Sequence, residues 1–357
     1  MAFNEAKYKK VYIGDKSGKA KLLYAPTGAY RVNATELSKA RYSSSATTIG
    51  GYALFGGGSS IDDICTDIVD AYDASLIRTI PTALSHVVRK AATAIIGNYA
   101  LFGGGSNNSS NDGSSVTDIV DAYDASLTRT IPTALIASRA GLAATTIGSY
   151  ALFGGGLGNK KKHNTVDIYN ASLTRTTMSN PLRAARYGLA ATTVGNYALF
   201  GGGYSTGNYT AIVDAYDTSL TRTSPTALSK ARYNFAATTV GNYALFGGGS
   251  DNNGRYDIVD AYNTSLIRTT PTVLTEARCN ITATTIGNYA LFGGGRDGSD
   301  YHDTIDAYDS SLTRTTATSL SKARYELVAT TVGNYALFGG GISPSGYTDT
   351  VDAYFVI

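Results

Sequence analysis

Tryptophan is absent from this 357-residue chain, cysteine occurs twice, and charged residues make up only 16% of it. Each shortage excludes something. Cys65 and Cys279 lie in unrelated settings, without the paired spacing of a disulfide framework or a zinc site. A net charge of +3 provides neither the basic footprint of a nucleic-acid surface nor a polybasic membrane face. No segment approaches the ~18–20 unbroken apolar residues of a membrane helix. The first ten residues, MAFNEAKYKK, lack the apolar stretch of a secretory signal. The expectations are no nucleic-acid partner, no membrane insertion and no signal-directed export.

What the chain does have is a repeat. Tyr-Ala-Leu-Phe-Gly-Gly-Gly begins at Tyr52, Tyr99, Tyr150, Tyr197, Tyr243, Tyr289 and Tyr335, at spacings of 47, 51, 47, 46, 46 and 46 residues. A near-identical unit of that period is one supersecondary element that buries its apolar face only by stacking on its neighbours. The repeat also acts as an internal control. What all seven units share belongs to the scaffold, and function is expected where they differ.

In the fifth unit, Ala236–Val240 and Tyr243–Gly248 flank the turn dipeptide Gly241-Asn242, which predicts a tight hairpin. A Gly/Asn/Asp-rich loop precedes a third strand over 257–262, and the Thr-rich run 267–274 predicts a fourth. Four antiparallel strands repeated radially describe a β-propeller blade. The seventh unit stops after its third strand, while residues 30–41 align without a gap on residues 221–232. An N-terminal strand is therefore expected to complete the last blade and remove the free edges of the ring. The fold class is all-β, a seven-bladed propeller over residues 29–357, with a Lys-rich hairpin and anchor over residues 1–28.

The glycine doublet after an apolar strand (Leu245-Phe246-Gly247-Gly248), the following Tyr-Asp or Tyr-Asn pair (Tyr72-Asp73, Tyr216-Asp217, Tyr262-Asn263) and the Arg closing each unit resemble the kelch-repeat family of propellers. The family's Trp, about seven residues after that Tyr, is replaced by Thr79, Thr130 and Thr223. The resemblance implies partner binding through the loops of one face. Residues 8–24, expected to turn at Lys16-Ser17-Gly18, are similar to Lys-rich segments of tail and appendage proteins of phages and prophages of Gram-positive bacteria. That implies attachment to other tail or appendage subunits and a virion or extracellular-appendage location; a cytoplasmic location is the alternative.

Two charged positions recur in every unit: an Asp of the third strand (Asp70 to Asp352) and an Arg of the fourth (Arg31 to Arg314). Active sites are asymmetric, whereas contacts between blades must repeat, so both are read as scaffold. The unit-closing arginines Arg41, Arg89, Arg139, Arg186, Arg232, Arg278 and Arg324 are read in the same way. His86, His163 and His302 occupy non-equivalent positions and form no ligand or triad spacing, so no catalytic residue, metal or cofactor is assigned. The glycine triplets lack the Lys-Ser/Thr of a phosphate loop.

Diversity is confined to the second-to-third loop of each unit and to the residues after the closing Arg, and in a meander both emerge at one end of the ring. Tyr, Ser, Gly, Asn and Asp dominate there, the mixture that supports adaptable recognition at low entropic cost. The expected contacts are Tyr204, Asn208, Tyr209, Arg255, Tyr256, Tyr301 and Tyr347, with Tyr42, Tyr187, Tyr233 and Tyr325 nearer the axis. The leading expectation is a non-enzymatic module that recognises a host-surface glycan or protein. The alternatives are a glycan hydrolase or lyase using carboxylates such as Asp62, Asp63 and Asp300, and a spacer within a larger assembly.

Overall fold

The computed structural model describes residues 11–14, 20–24, 28–108 and 113–356. Its architecture is a seven-bladed β-propeller, each blade a four-stranded antiparallel sheet. In the fifth blade, strands Ala236–Val240, Tyr243–Gly247, Val259–Asn263 and Arg268–Thr269 pair in sequence order. The seventh is closed as expected, with Ala29–Asn33 pairing along Val351–Val356. Outside the ring, Val11–Gly14 and Ala20–Tyr24 pair as an antiparallel hairpin; its turn at Lys16-Ser17-Gly18 lies outside the described residues.

The fourth strand is much shorter than the expected run 267–274. It has two residues in blades one, two, four and five, where Pro81, Pro132, Pro225 and Pro271 follow two positions later. Proline has no N–H to continue the ladder. Blades three and six lack that proline, and Arg175–Thr177 and Arg314–Thr316 each run one residue further.

Blade-to-blade packing explains both the first glycine of each triplet and the absence of Trp. A Cβ on Gly247 would lie 2.8 Å from the Phe292 ring of the next blade, and the same relation runs round the circle to Gly339 and Phe55. Each Phe ring also meets the third-strand Tyr of its own blade edge-on, as Phe292 and Tyr308 do at 5.9 Å. That Tyr is buried, and in blades one to six its hydroxyl donates to a carbonyl of the incoming connection, as Tyr262 does to Thr226 at 2.7 Å. A Phe–Tyr pair therefore fills the space between blades.

The third-strand Asp anchors each blade. Asp260 is fully buried, forms an ion pair with Arg232 Nη2 at 2.8 Å, and accepts from Arg268 Nη1 at 2.7 Å and from the Ser229 N–H at 3.0 Å. Burial pulls the Arg186, Arg232, Arg278 and Arg324 guanidinium groups below their usual pKa, and the paired Asp opposes the shift. The second blade departs from this scheme. Val88, not Arg89, occupies the buried closing position, where its carbonyl accepts from Gly58 N as that of Arg139 does from Gly105 N. Arg89 therefore does not belong with the scaffold arginines. Asp121 retains Arg129 at 3.2 Å and has His86 Nδ1 at 3.7 Å.

First strands line the channel, where threonine hydroxyls link neighbouring blades: Thr145 and Thr193 at 2.8 Å, Thr192 and Thr239 at 2.9 Å. In blade two, Ala94 and Ile95 interrupt this girdle.

Candidate binding face

Among the described residues, the second-to-third segments form two-stranded hairpins in blades three, five, six and seven and isolated bridges in blades one, two and four, which add a miniature ladder to the top of each blade. The residue after the closing position bridges the residue after the glycine triplet, which in most blades bridges the returning strand of the hairpin. The chain can turn there because the last two glycines of each triplet have positive φ, 61° and 105° at Gly202 and Gly203. Residues directly opposed across such strands project to the same side. Blade four thus carries the row Tyr187–Tyr204–Tyr209, blade five Tyr233–Ser250–Arg255, blade six Cys279–Arg296–Tyr301 and blade seven Tyr325–Ile342–Tyr347. The equivalent rows begin with Tyr42 in blade one, Arg89 in blade two and Ala140 in blade three. Both variable regions therefore do share one face.

Most of the expected tyrosines come together in two arcs. In one, the ring centroids of Tyr187 and Tyr204 are 5.7 Å apart, those of Tyr204 and Tyr209 5.1 Å, and those of Tyr209 and Tyr233 5.1 Å. Tyr209 Oη donates to Asn252 Oδ1 at 2.8 Å, and Lys162 Nζ stands 4.7 Å above the Tyr204 ring. In the other, Tyr301 meets Tyr325 at 4.9 Å under the Arg296 guanidinium, and Tyr347 stacks on Tyr42 at 5.0 Å. These rings interlock neighbouring blades and, except for the buried Tyr42, are half-buried. Asn208 and Arg255 are exposed. Tyr256 stands apart from both arcs beneath Lys230 Nζ, 5.2 Å from its ring. Burial is the leading cause of the raised hydroxyl pKa of Tyr42, Tyr187, Tyr209, Tyr256, Tyr325 and Tyr347, so these hydroxyls stay neutral.

Around the axis the next residue of each connection forms a backbone rim. Ser43 N donates to Glu326 O, Lys90 N to Ser43 O, Gly188 N to Gly141 O, Asn234 N to Gly188 O, Asn280 N to Asn234 O and Glu326 N to Asn280 O, at 2.8–3.3 Å. Every non-glycine member has φ between 51° and 54°. On this rim Ser43 Oγ donates to Glu326 Oε2, and Lys90 Nζ lies 3.9 Å from Glu326 Oε1. Burial lowers the Lys90 pKa and the Glu326 charge opposes it.

Of the carboxylates considered for catalysis, Asp62 and Asp63 lie in a turn of blade one and Asp300 in the hairpin of blade six, with blade seven between; all three are exposed. Asp63 Oδ1 accepts from Tyr42 Oη at 2.5 Å and Tyr347 Oη at 3.0 Å, which holds its carboxyl below the usual range. It acts as a clamp between blades seven and one. Among the described residues, no group of three or more His, Cys, Asp or Glu side chains could hold a metal ion.

The residues sequence reasoning missed are Arg89 and Lys90. Arg89 Nε donates to Asn108 O at 2.8 Å and Nη1 to Tyr42 Oη at 3.4 Å, so it belongs to this face. A signal existed: the closing Arg precedes the repeat Tyr by eleven residues elsewhere (Arg232 to Tyr243) but Arg89 precedes Tyr99 by ten.

No protein-family model and no curated protein matches the chain. Solved structures do, among them one described as the structure of YjhT, at 12% identity and a TM-score of 0.58, covering 90% of this chain and 95% of that one. At that identity the likeness shows the propeller fold alone.

Proposed function

We propose that this chain is a non-enzymatic binding module, a kelch-type propeller of a phage tail or related virion or extracellular appendage, whose variable face recognises a host-surface glycan or protein. One observation carries the reading. The side chains that differ between units are gathered into same-side rows on one face, while the Gly-Asn and Ser-Leu turns of the opposite face barely vary. Rigid aromatic rings with neutral hydroxyls, set on short hydrogen-bonded sheets, lose little entropy on binding. The Lys-rich hairpin supports attachment to neighbouring appendage subunits. The test is a host-cell pull-down and glycan array with the full chain and with variants whose hairpins are exchanged between blades. Binding that follows the exchanged hairpins supports the proposal. No binding in either assay, with folding and assembly intact, refutes it.

A further inference from the structure

Among the described residues, only blade four carries a wholly aromatic cross-strand row. In the other six blades the middle position is Ser59, Ser106, Leu157, Ser250, Arg296 or Ile342, and those blades form the same four-stranded sheet and the same bridges. The scaffold therefore does not require Tyr204, and the row needs another explanation. Its rings are not stacked flat: Tyr187 and Tyr204 are inclined by 68°, Tyr204 and Tyr209 by 66°, and Tyr209 and Tyr233 by 42°. Inclined rings make a corner with several π-faces and edges, which suits a puckered ring bearing both C–H and O–H groups better than a planar one. Inward of the corner, the rim positions are Gly141 and Gly188. Tyr187 lies 3.5 Å from the place of a Gly141 Cβ and Tyr233 3.2 Å from that of Gly188, so the rings rest directly on backbone.

The polar groups at the corner are asymmetric. Lys162 Nζ stands 4.7 Å over the Tyr204 ring and takes part in no ion pair among the described residues. On the other side Asn252 accepts from Tyr209 and keeps its amide donors. An ammonium held beside an aromatic face, with no acid paired to it among the described residues, favours a ligand that brings its own negative charge.

From this we infer that the blade-four corner, formed by Tyr187, Tyr204, Tyr209, Tyr233, Lys162 and Asn252, is a subsite for an acidic saccharide, its ring against the tyrosines and its carboxylate or phosphate on Lys162. The inference rests on the reading of this face as a binding surface and narrows it to a glycan and to one sector. The test is calorimetric titration of the full chain with three oligosaccharides of equal length, one containing glucuronate, one phosphorylated and one uncharged. Tyr204→Ala and Lys162→Gln are each expected to weaken binding of an acidic probe about tenfold or more. Ile267→Ser, on an outer turn, leaves it unchanged, and added salt weakens it. The better acidic probe identifies the anion. Equal binding of the uncharged probe, acidic binding unmoved by Lys162→Gln, or no heat with any probe overturns the inference. The broader reading fails separately, only if the host-cell pull-down and the glycan array are both empty as well.

Discussion

At the scale of single residues, the buried Arg–Asp contacts divide the blades into six alike and one different. Removing one partner of a buried, hydrogen-bonded pair strands a charge, so Arg232→Ala is expected to cost about 3–5 kcal/mol in denaturant unfolding. Asp121 has no buried closing Arg. Asp121→Asn should therefore cost clearly less than Asp260→Asn in the same assay, and equal costs would contradict the assignment of Val88. His86 packs beside Asp121, and burial, the largest cause, pushes its pKa below the ordinary 6.5 despite that carboxylate and those of Asp118 and Asp67; Arg129 pushes the same way. A depressed imidazole pKa means that folding disfavours the proton. The stability it contributes is complete above pH ~6.5 and is lost as pH falls from there through the folded-state value. His86→Ala should flatten that part of the stability–pH curve relative to the unmodified chain, which thermal unfolding from pH 7.5 to 5 will show. The slip from Arg89 to Val88 was readable in the one-residue change of spacing. Its consequence, an Asp without its usual partner, was not, because the closing Arg and the third-strand Asp are 28–29 residues apart in the chain and meet only when the blade folds.

At the scale of strands and turns, the first glycine of each triplet accommodates the neighbouring blade. Gly247→Ala would bring a Cβ to 2.8 Å from Phe292, and overpacking of that kind is expected to cost about 1–3 kcal/mol, measurable as a lowered unfolding midpoint. The strand pattern, the Gly-Asn hairpins and the all-β class were legible because alternation and turn chemistry act over a few residues. The shortened fourth strand was legible only in part, since Pro271 marks its limit while the Thr run suggests continuation. The miniature sheets were not legible. Their strands are two residues long, and their ladder includes a segment that arrives from the preceding unit, as Tyr233 does to reach Ser250. The turn leucines were missed for a similar reason. Leu220 holds φ of 63°, and its packing into the adjacent apolar cluster offsets the strain of that conformation.

At the scale of the whole molecule, the ring is held shut by Ala29–Asn33 on Val351–Val356. Deleting residues 1–33 exposes the edge of the last blade, and an open edge recruits other strands. The expected outcome is loss of the full-length chain's own peak in size-exclusion chromatography and a broadened unfolding transition, while deletion of residues 1–27 leaves the peak and the transition unchanged. Comparable behaviour of the two deletions would show that ring closure contributes little. The sequence by itself determined the number of blades, their strand order, the closure of the ring by its N-terminus and the end at which variation collects. A sevenfold repeat with complementary ends admits one closed arrangement, and local chemistry specifies each strand. Only the tertiary structure decided which variable side chains meet: the all-tyrosine row of blade four, the placement of Arg89 on the face and the backbone rim around the axis. The row needs a segment from the preceding unit to lie along the hairpin, while the rim and the contact of Arg89 with Tyr42 need residues about 46 positions apart to be set side by side by the stacking of whole blades; no pattern within one unit encodes either.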